Sequence, residues 1–453
     1  MLHRSAEQIG QTELGPRPLP PLRAARPLAA PAAADTVLDS GLRVIAVRRP
    51  AVPMVELRLE IPFGGTHRRH PARAEVLAAT LLRGTSRRDR FTIDRTLAGV
   101  GASLAAAVDP EHLSVSGSTL VSGLDTVLEV LSDALTAASY PTAEVTRERA
   151  RLIERLTVSR AQPRVIAREA LQRRRYGNHP FTREWPHPED VAAVTPAAVR
   201  ALHRRAVVPG GSVLVLVGDL EPDWAVGMAE SILAGWRADH PATELAPLPP
   251  LSGADLQLVH RDAAVQAQLR LSAQAVARSD DRYPAVQLAN LVFGGYFSSR
   301  WVENIREDKG YTYGAHCGFE FTRYGATLVA DADTANEVTA AALLETRYEQ
   351  GRMVVAPPTE AEIDSARQYA IGSLIIATSS QRGLAGHLAT LATLGLDLDW
   401  LLGHPARLRA VTREQVAEAA AEFFAPSRFT GVVVGDATRL AGPLAALGGV
   451  QLP

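Results

Sequence analysis

The chain lacks several features that would restrict it to a special environment. Its 453 residues include a single cysteine, Cys317, so no disulfide can form within the chain. This usage fits a reducing compartment, and a lone cysteine in a strand-like segment is more often a small buried hydrophobe than a reactive thiol. We therefore expect a cytoplasmic protein with Cys317 in its core.

Long apolar runs and a charge of one sign are also missing. No apolar run approaches the roughly 20 residues that cross a bilayer, so we expect no membrane segment. The net charge is −1, which gives no reason to expect a nucleic acid or an anionic membrane as a partner. Residues 1–35 lack the continuous apolar stretch of a signal peptide, and their repeated prolines predict a stiff, poorly packed arm.

What the chain does contain is an internal repeat. Three dipeptides recur in order and in matching contexts at an offset of 217 residues: Pro141-Thr142 and Pro358-Thr359, Val194-Thr195 and Val411-Thr412, Gly218-Asp219 and Gly435-Asp436. One such match means nothing, but three in order indicate two homologous halves.

Both halves also have the same predicted order of elements. Each begins with an alternating or apolar strand, at residues 54–63 and 265–276, and helices follow. A predicted strand pair comes next, at residues 102–119 and 311–333, then more helices, and an apolar strand ending in "VGD" closes each half. Strands and helices in this order, joined by hairpin-length turns, predict an α+β fold with mainly antiparallel sheets.

The repeat and the composition together predict the domain organisation. After the Pro/Ala-rich arm, residues 1–35, we expect an N-terminal domain at residues 36–235 and a C-terminal domain at residues 253–453. The Pro-rich residues 236–252 are expected to link them.

The segment "ENIREDKGYTYGA", residues 303–315, has a pattern with two interpretations. It predicts the end of a helix, a glycine and then a strand, with Arg306 and Tyr313 on either side of the break. In the simpler interpretation Arg306 is a solvated residue at a helix C-terminus, where the dipole favours a cation, and Tyr313 packs in a sheet. The functional interpretation is that a guanidinium fork and a phenol bind a ligand together.

The chain resembles the pitrilysin-like (M16) zinc metallopeptidases over about residues 36–440. The matching segments are "YGNHPF" (176–181), "VGDLEPD" (217–223) and, most specifically, "FGGYFSSRWVENIREDKGYTYG" (293–314). The resemblance implies two homologous α+β domains that form half of a clamshell chamber. It also implies that Arg306 and Tyr313 point across that chamber and bind substrate or the transition state.

The same resemblance implies that the zinc site is absent. Active members carry HxxEH on their first helix, where two histidines bind zinc and the glutamate activates water. Aligning Gly84-Thr85 with the family's "GT" places Glu75 at the first histidine, Ala78 at the glutamate and Ala79 at the second histidine. The third ligand position falls at about Arg155. We therefore expect no metal or cofactor in this chain.

Two further segments are candidates for peptide binding. The small residues Gly294, Gly295, Ser298 and Ser299 would let a substrate backbone approach closely, or they simply start a helix with Ser298 as its N-cap. Residues 101–115 would present a sheet edge to which a peptide adds as a strand, or they form an ordinary covered strand. Separately, His67 and His70 are expected in an exposed turn rather than in a metal site.

In the bacterial members that are split over two chains, one subunit carries HxxEH and the other carries the Arg/Tyr pair. This chain resembles the second type. The resemblance therefore implies an inactive, substrate-binding subunit of a heterodimeric zinc metalloendopeptidase. Its partner would be an HxxEH-bearing subunit that supplies Zn, and its substrate a peptide or an unfolded polypeptide. The alternatives are a structural pseudo-peptidase scaffold and a peptide-binding protein with no role in catalysis.

Overall fold

The computed structural model of the chain describes residues 30–453, and its strands form two six-stranded sheets. The strands of the first sheet are β1 Ala33–Val37, β2 Arg43–Arg48, β3 Met54–Pro62, β4 Ser103–Val108, β5 His112–Leu120 and β6 Val213–Gly218. They lie in the order β1-β2-β6-β3-β5-β4, and only β2 and β6 pair in parallel.

The second sheet repeats this plan. Its strands are β7 Leu256–His260, β8 Gln266–Gln274, β9 Thr312–Thr322, β10 Gly325–Ala335, β11 Thr430–Gly435 and β12 Val450–Gln451. They lie in the order β12-β7-β11-β8-β10-β9, so five strands occupy the same places as β2, β6, β3, β5 and β4. The pairs of β7 with β11 and β12 are parallel and the others are antiparallel. The predicted α+β class with mainly antiparallel sheets is confirmed.

Helices pack on both sheets. In chain order they are α1 His70–Thr80, α2 Arg90–Gly99, α3 Leu124–Ala137, α4 Thr142–Arg160, α5 Pro163–Tyr176, α6 Pro188–Ala192, α7 Pro196–Ala206, α8 Pro222–Leu233, α9 Tyr283–Asn290, α10 Arg300–Val302, α11 Thr339–Val355, α12 Glu360–Ala377, α13 Gln381–Thr393, α14 Leu398–Ala410, α15 Arg413–Phe423 and α16 Ala437–Leu447. Two π-helical segments, Leu291–Gly295 and Glu303–Asp308, follow α9 and α10. No helix among residues 30–453 is both long and apolar enough to cross a membrane.

The repeated dipeptides mark equivalent places in the two halves. Thr195 and Thr412 are the N-caps of α7 and α15, and each side chain accepts a backbone N–H of the first turn. Gly218 is the last residue of β6 and Gly435 the last residue of β11. A Cβ on Gly218 would lie 2.3 Å from the Met54 carbonyl oxygen, and a Cβ on Gly435 would crowd a leucine side chain. Caps and close approaches therefore explain why these residue types recur.

In each half, one helix packs on the sheet of the other half. Helix α5 packs Ala167 and Leu171 against Val432 and Val434 of β11. Its counterpart 217 residues later, α13, packs on the first sheet against β6. This reciprocal packing explains why β6 and β11 are buried on both faces and are continuous apolar runs in the sequence.

The end of the arm and the linker both contact the rest of the chain. Residues 33–37 form β1, which pairs with β2, so the arm becomes a strand at its end; residues 1–29 lie outside the described residues. In the linker, Trp236 and Leu245 are buried, and the Leu245 N–H donates to the Tyr324 hydroxyl at 3.1 Å. The domain limits 36–235 and 253–453 remain predictions, since residues 31–453 form one compact unit.

Candidate functional site

The segment that carries Arg306 ends in a wide turn. After α10 the chain continues as the π-helical segment Glu303–Asp308, and Gly310 then adopts a positive φ of +64°. The Gly310 N–H donates to the Arg306 carbonyl at 3.2 Å, and the Tyr311 N–H donates to the Ile305 carbonyl at 2.8 Å. Strand β9 begins directly afterwards. The sequence predicted the helix, glycine and strand correctly but not the π-helical winding, which is frequent at functional sites.

The Arg306 guanidinium is held against an aromatic ring. Its central carbon lies 4.6 Å from the ring centroid of Phe297, and its Nε lies 3.3 Å from a carboxylate oxygen of Glu307. The Arg306 side chain is 37% exposed, and Phe297 is also exposed. Phe297 was not predicted from the sequence, although it lies inside the matching segment. A contact between residues nine positions apart depends on how the intervening chain folds, which the sequence pattern does not give.

Tyr313 lies on the open edge of the second sheet. It is the second residue of β9, which pairs only with β10 among the described strands, and it is 95% exposed. A β-bulge sets Tyr313 and Gly314 opposite Asp333 alone, and the Thr312 hydroxyl lies 2.7 Å from the Asp333 carbonyl oxygen. Bulges often re-aim a side chain beside a functional site. The simpler of the two interpretations, in which the Tyr313 side chain packs in the sheet, does not hold, because this side chain is exposed.

The positions aligned with the zinc motif do meet in space. Glu75 on α1 and Arg155 on α4 form an ion pair, with 3.6 Å between the carboxylate oxygen and the guanidinium nitrogen. Burial raises the pKa of the Glu75 carboxyl, and Arg155 offsets part of that rise. Ala78 is buried on the same helix and Ala79 is half-buried.

This set of side chains does not fit zinc. Two alanines have no donor atom, and a guanidinium stands where a third ligand would be. Within residues 30–453 there is also no group of three or more His, Cys, Asp or Glu arranged to hold a metal ion. Glu75 and Arg155 are instead paired with each other.

The small residues before Arg306 are tightly packed. A Cβ on Gly294 would lie 2.8 Å from the Trp301 ring, and one on Gly295 would lie 2.9 Å from the Asn290 amide nitrogen. Ser298 is exposed, whereas Ser299 is buried with no hydrogen-bond partner for its hydroxyl. The N-cap of α10 is Ser299 and not Ser298. Internal packing thus accounts for the glycines, and only Ser298 of this group is open to a ligand.

Three other expectations have clear outcomes. Residues 103–108 form β4, an edge strand that pairs only with β5 among the described strands, so a sheet edge is present as predicted. His70 is not in an exposed turn: it begins α1, its Nε2 lies 2.8 Å from the Phe63 carbonyl oxygen, and burial lowers its pKa to about 4. His67 is exposed, so the two rings do not form a site. Cys317 is buried, as expected.

Comparison with known families identifies the class of protein. A family model described as "Insulinase (Peptidase family M16)" matches residues 43–189, and one described as "Peptidase M16 inactive domain" matches residues 193–369. The chain belongs to the peptidase M16 family.

Curated relatives agree with this family. The chain is 23% identical over 401 residues to the uncharacterized zinc protease YmxG of Bacillus subtilis, an alignment that covers 85% of this chain and 94% of the relative. It is 24% identical over 303 residues to the uncharacterized zinc protease ML0855 of Mycobacterium leprae, covering 65% of this chain and 67% of the relative. For the corresponding protein of Streptomyces coelicolor, SCO5738, the identity is 24% over 298 residues and the shares are 62% and 63%. The alignments thus span about two thirds of these last two relatives.

Solved structures share the fold. A peptidase M16 inactive domain from Pseudomonas fluorescens superposes with a TM-score of 0.80 at 24% identity, covering 89% of this chain and 98% of that chain. A protease from Helicobacter pylori gives 0.79 at 16% identity, with shares of 90% and 100%. The periplasmic protease PqqL from Escherichia coli gives 0.74 at 18% identity, covering 94% of this chain and half of that one.

Proposed function

We propose that this chain is the non-catalytic, substrate-binding subunit of a heterodimeric M16-type zinc metalloendopeptidase. The observation that carries the proposal is a contrast within one chain. The Glu75–Arg155 ion pair stands at the aligned zinc positions, while the partly exposed Arg306 and the exposed Tyr313 lie on either side of the turn that leads into an edge strand. A scaffold without any role in binding has no need for an exposed tyrosine and a ring-stacked arginine on either side of one turn.

The two side chains suit the polar atoms of a peptide. The guanidinium of Arg306 donates hydrogen bonds through a planar fork. Its contact with Phe297 already restricts its orientation, so less conformational entropy is lost on binding. The Tyr313 hydroxyl is a donor at a nearly fully exposed position. Donors of this kind stabilise a carbonyl oxygen whose negative charge increases in the transition state. Arg306 and Tyr313 would bind and orient the scissile region in the assembled enzyme.

Zinc, water activation and the general base would come from the partner. An HxxEH-bearing M16 subunit supplies these groups in the proposed heterodimer, because the side chains at the aligned positions here do not fit the metal. The substrate class is a peptide or an unfolded polypeptide, since the exposed edges of β4 and β9 offer unpaired backbone groups to an extended chain. The names of the curated relatives as zinc proteases support a role in proteolysis. We keep the cytoplasm as the proposed location, on the basis of the single buried cysteine.

The test uses two purified chains, separately and mixed. The partner is an HxxEH-bearing M16 chain from the same organism, and the readouts are zinc content by elemental analysis and cleavage of fluorogenic peptides. We expect no stoichiometric zinc and no cleavage with this chain alone, and chelator-sensitive cleavage when both chains are present. About one tightly held zinc per chain together with cleavage by this chain alone would overturn the proposal. Cleavage by the partner alone at the rate of the mixture would favour the scaffold alternative.

A further inference from the structure

A separate cleft lies on the helical side of the second half. It has a volume of about 550 Å³, which is in the range of small-ligand sites. Its walls come from the loop before α9, from α9 itself and from α14 and α15. Neither Arg306 nor Tyr313 lines it, so the cleft is distinct from the proposed peptidase site.

Three arginines line this cleft, and each lies over an aromatic ring. The guanidinium carbon of Arg278 is 4.4 Å from the centroid of Phe321, that of Arg407 is 4.7 Å from Trp400, and that of Arg282 is 5.7 Å from Phe423. Stacking on a ring fixes the plane of a guanidinium before any ligand arrives.

The three arginines differ in how their charge is balanced. Arg282 is paired with Asp280 at 2.9 Å and with Glu422 at 3.0 Å. Arg278 and Arg407 have no carboxylate within 4 Å among the described residues, and the buried Nε of Arg278 has no hydrogen-bond partner. Arg407 donates only to the Trp400 carbonyl. The cleft therefore holds two stacked guanidinium groups without an ion-pair partner among the described residues; burial lowers the pKa of Arg407, and the charge of Asp397 offsets part of that shift.

An aromatic stack connects these two arginines. Tyr283 lies 5.5 Å from His404, which lies 4.8 Å from Trp400, and both ring pairs are nearly parallel. Burial lowers the pKa of His404 to about 4, and the positive charges of Arg407 and Arg278 add to that shift. Both guanidinium groups thus act on the same neutral ring. The other charged side chains of the cleft, Asp281 and Glu418, are exposed.

We propose that this cleft binds a carboxylate carried by a peptide, with Arg278 and Arg407 as the groups that recognise it. A carboxylate accepts two parallel hydrogen bonds from a guanidinium, which is the geometry that an unpaired, stacked arginine offers. Of the stacked rings, Trp400 lines the cleft and provides an apolar surface for the adjoining part of the peptide. Two sources supply the same group: the C-terminus of a peptide and the side chain of Asp or Glu.

The experiment measures binding to the full-length chain by isothermal titration calorimetry. The probes are acetyl-Ala-Ala-Phe with a free C-terminus, its C-terminal amide, and the amide acetyl-Ala-Glu-Phe-NH₂. We expect the free acid to bind and the neutral amide to bind at least tenfold more weakly, because a hydrogen bond to a charged group contributes roughly 1.5–3 kcal/mol, or about 10–150-fold in Kd. Binding of the Glu-containing amide as well would assign the site to any carboxylate; its failure to bind would assign the site to a C-terminus.

Matched variants locate the site. Arg278→Gln and Arg407→Gln should each weaken binding of the free acid about tenfold or more. Arg282→Gln is the control within the same cleft and should change Kd less than threefold, because its charge is already balanced. Arg382→Ala, at an exposed arginine on α13 that does not line the cleft, should have no effect. Arg407→Lys, which keeps the charge, tests the guanidinium fork if the glutamine variant does not fold. Equal binding of acid and amide, or equal losses for Arg282→Gln and Arg407→Gln, would overturn the proposal.

Discussion

Substitution of Arg306 by alanine separates a catalytic contribution from a structural one. The side chain is 37% exposed and its carboxylate partner, Glu307, is 48% exposed, so their ion pair contributes at most about 1 kcal/mol to folding. The contact with the exposed ring of Phe297 adds roughly 0.5–1 kcal/mol. Loss of one donor to a developing oxyanion costs about 10²–10³ in rate, or roughly 3–4 kcal/mol. The effect on turnover should therefore exceed the effect on stability.

The assay compares kcat, KM and thermal midpoint for the assembled heterodimer. We expect Arg306→Ala and Tyr313→Phe to lower kcat/KM by about 10²–10³ while assembly, measured by size-exclusion chromatography, is unchanged. A fall in kcat indicates a contact made in the transition state, whereas a rise in KM alone indicates ground-state binding. Arg306→Lys should restore only part of the activity, because lysine keeps the charge but loses the fork.

The matched control is Arg382→Ala, which removes a more exposed arginine on α13. It should change neither kcat nor assembly. If Arg306→Ala and Tyr313→Phe both retain activity within about threefold of wild type in the presence of the HxxEH partner, the substrate-binding proposal is refuted and the scaffold alternative is favoured.

Three further predictions concern packing and charge. Leu171 on α5 and Leu388 on α13 are equivalent side chains that are 2% and 1% exposed. Leu171→Ala and Leu388→Ala should each leave a cavity and lower the free energy of unfolding by about 2–5 kcal/mol. A lowered calorimetric midpoint for only one of them would contradict the reciprocal packing. Phe297→Ala should lower kcat/KM several-fold with little change in midpoint, because it frees the guanidinium above it; unchanged kinetics would show that the ring only fills space. Arg155→Ala removes an effect that lowers the pKa of Glu75, so that pKa should rise further. A carboxyl whose pKa is raised in the folded state destabilises the protein as pH increases. The free energy of unfolding of the variant should therefore fall further below that of wild type from pH 4 to pH 8, by less than about 1 kcal/mol. A difference that shrinks with pH would contradict the ion pair.

The sequence predicted the elements that depend on local patterns. Alternation in 54–63 and the apolar run in 213–218 gave strands β3 and β6, and Thr412 marked the start of α15 because a threonine side chain caps a backbone N–H. The equivalent strand orders of the two sheets agree with the repeat inferred from three dipeptides. These features need only neighbours in sequence to be recognised.

Features that depend on distant contacts were not predicted. The apolar face of α5 indicates a buried helix but does not say that it packs on the sheet of the other half. Strand β1 is short and made of small and polar residues, so it is recognisable only by its pairing with β2. At the candidate site, the glycine at 310 was visible in the sequence, whereas the bulge at Tyr313 and the ring of Phe297 beneath Arg306 were not.

The repeat also explains how one chain can lose one function and keep another. The first half carries the Glu75–Arg155 pair on α1 and α4, and the second half carries Arg306 and Tyr313 before and at the start of β9. Each half packs around its own buried cluster, and helices α5 and α13 join the halves through two further clusters that do not include these residues. Substitutions at the aligned zinc positions therefore leave the geometry of the second half intact. In the proposed heterodimer, this chain would supply a binding surface for the partner's chemistry from its second half, although the aligned zinc positions in its first half do not fit a metal.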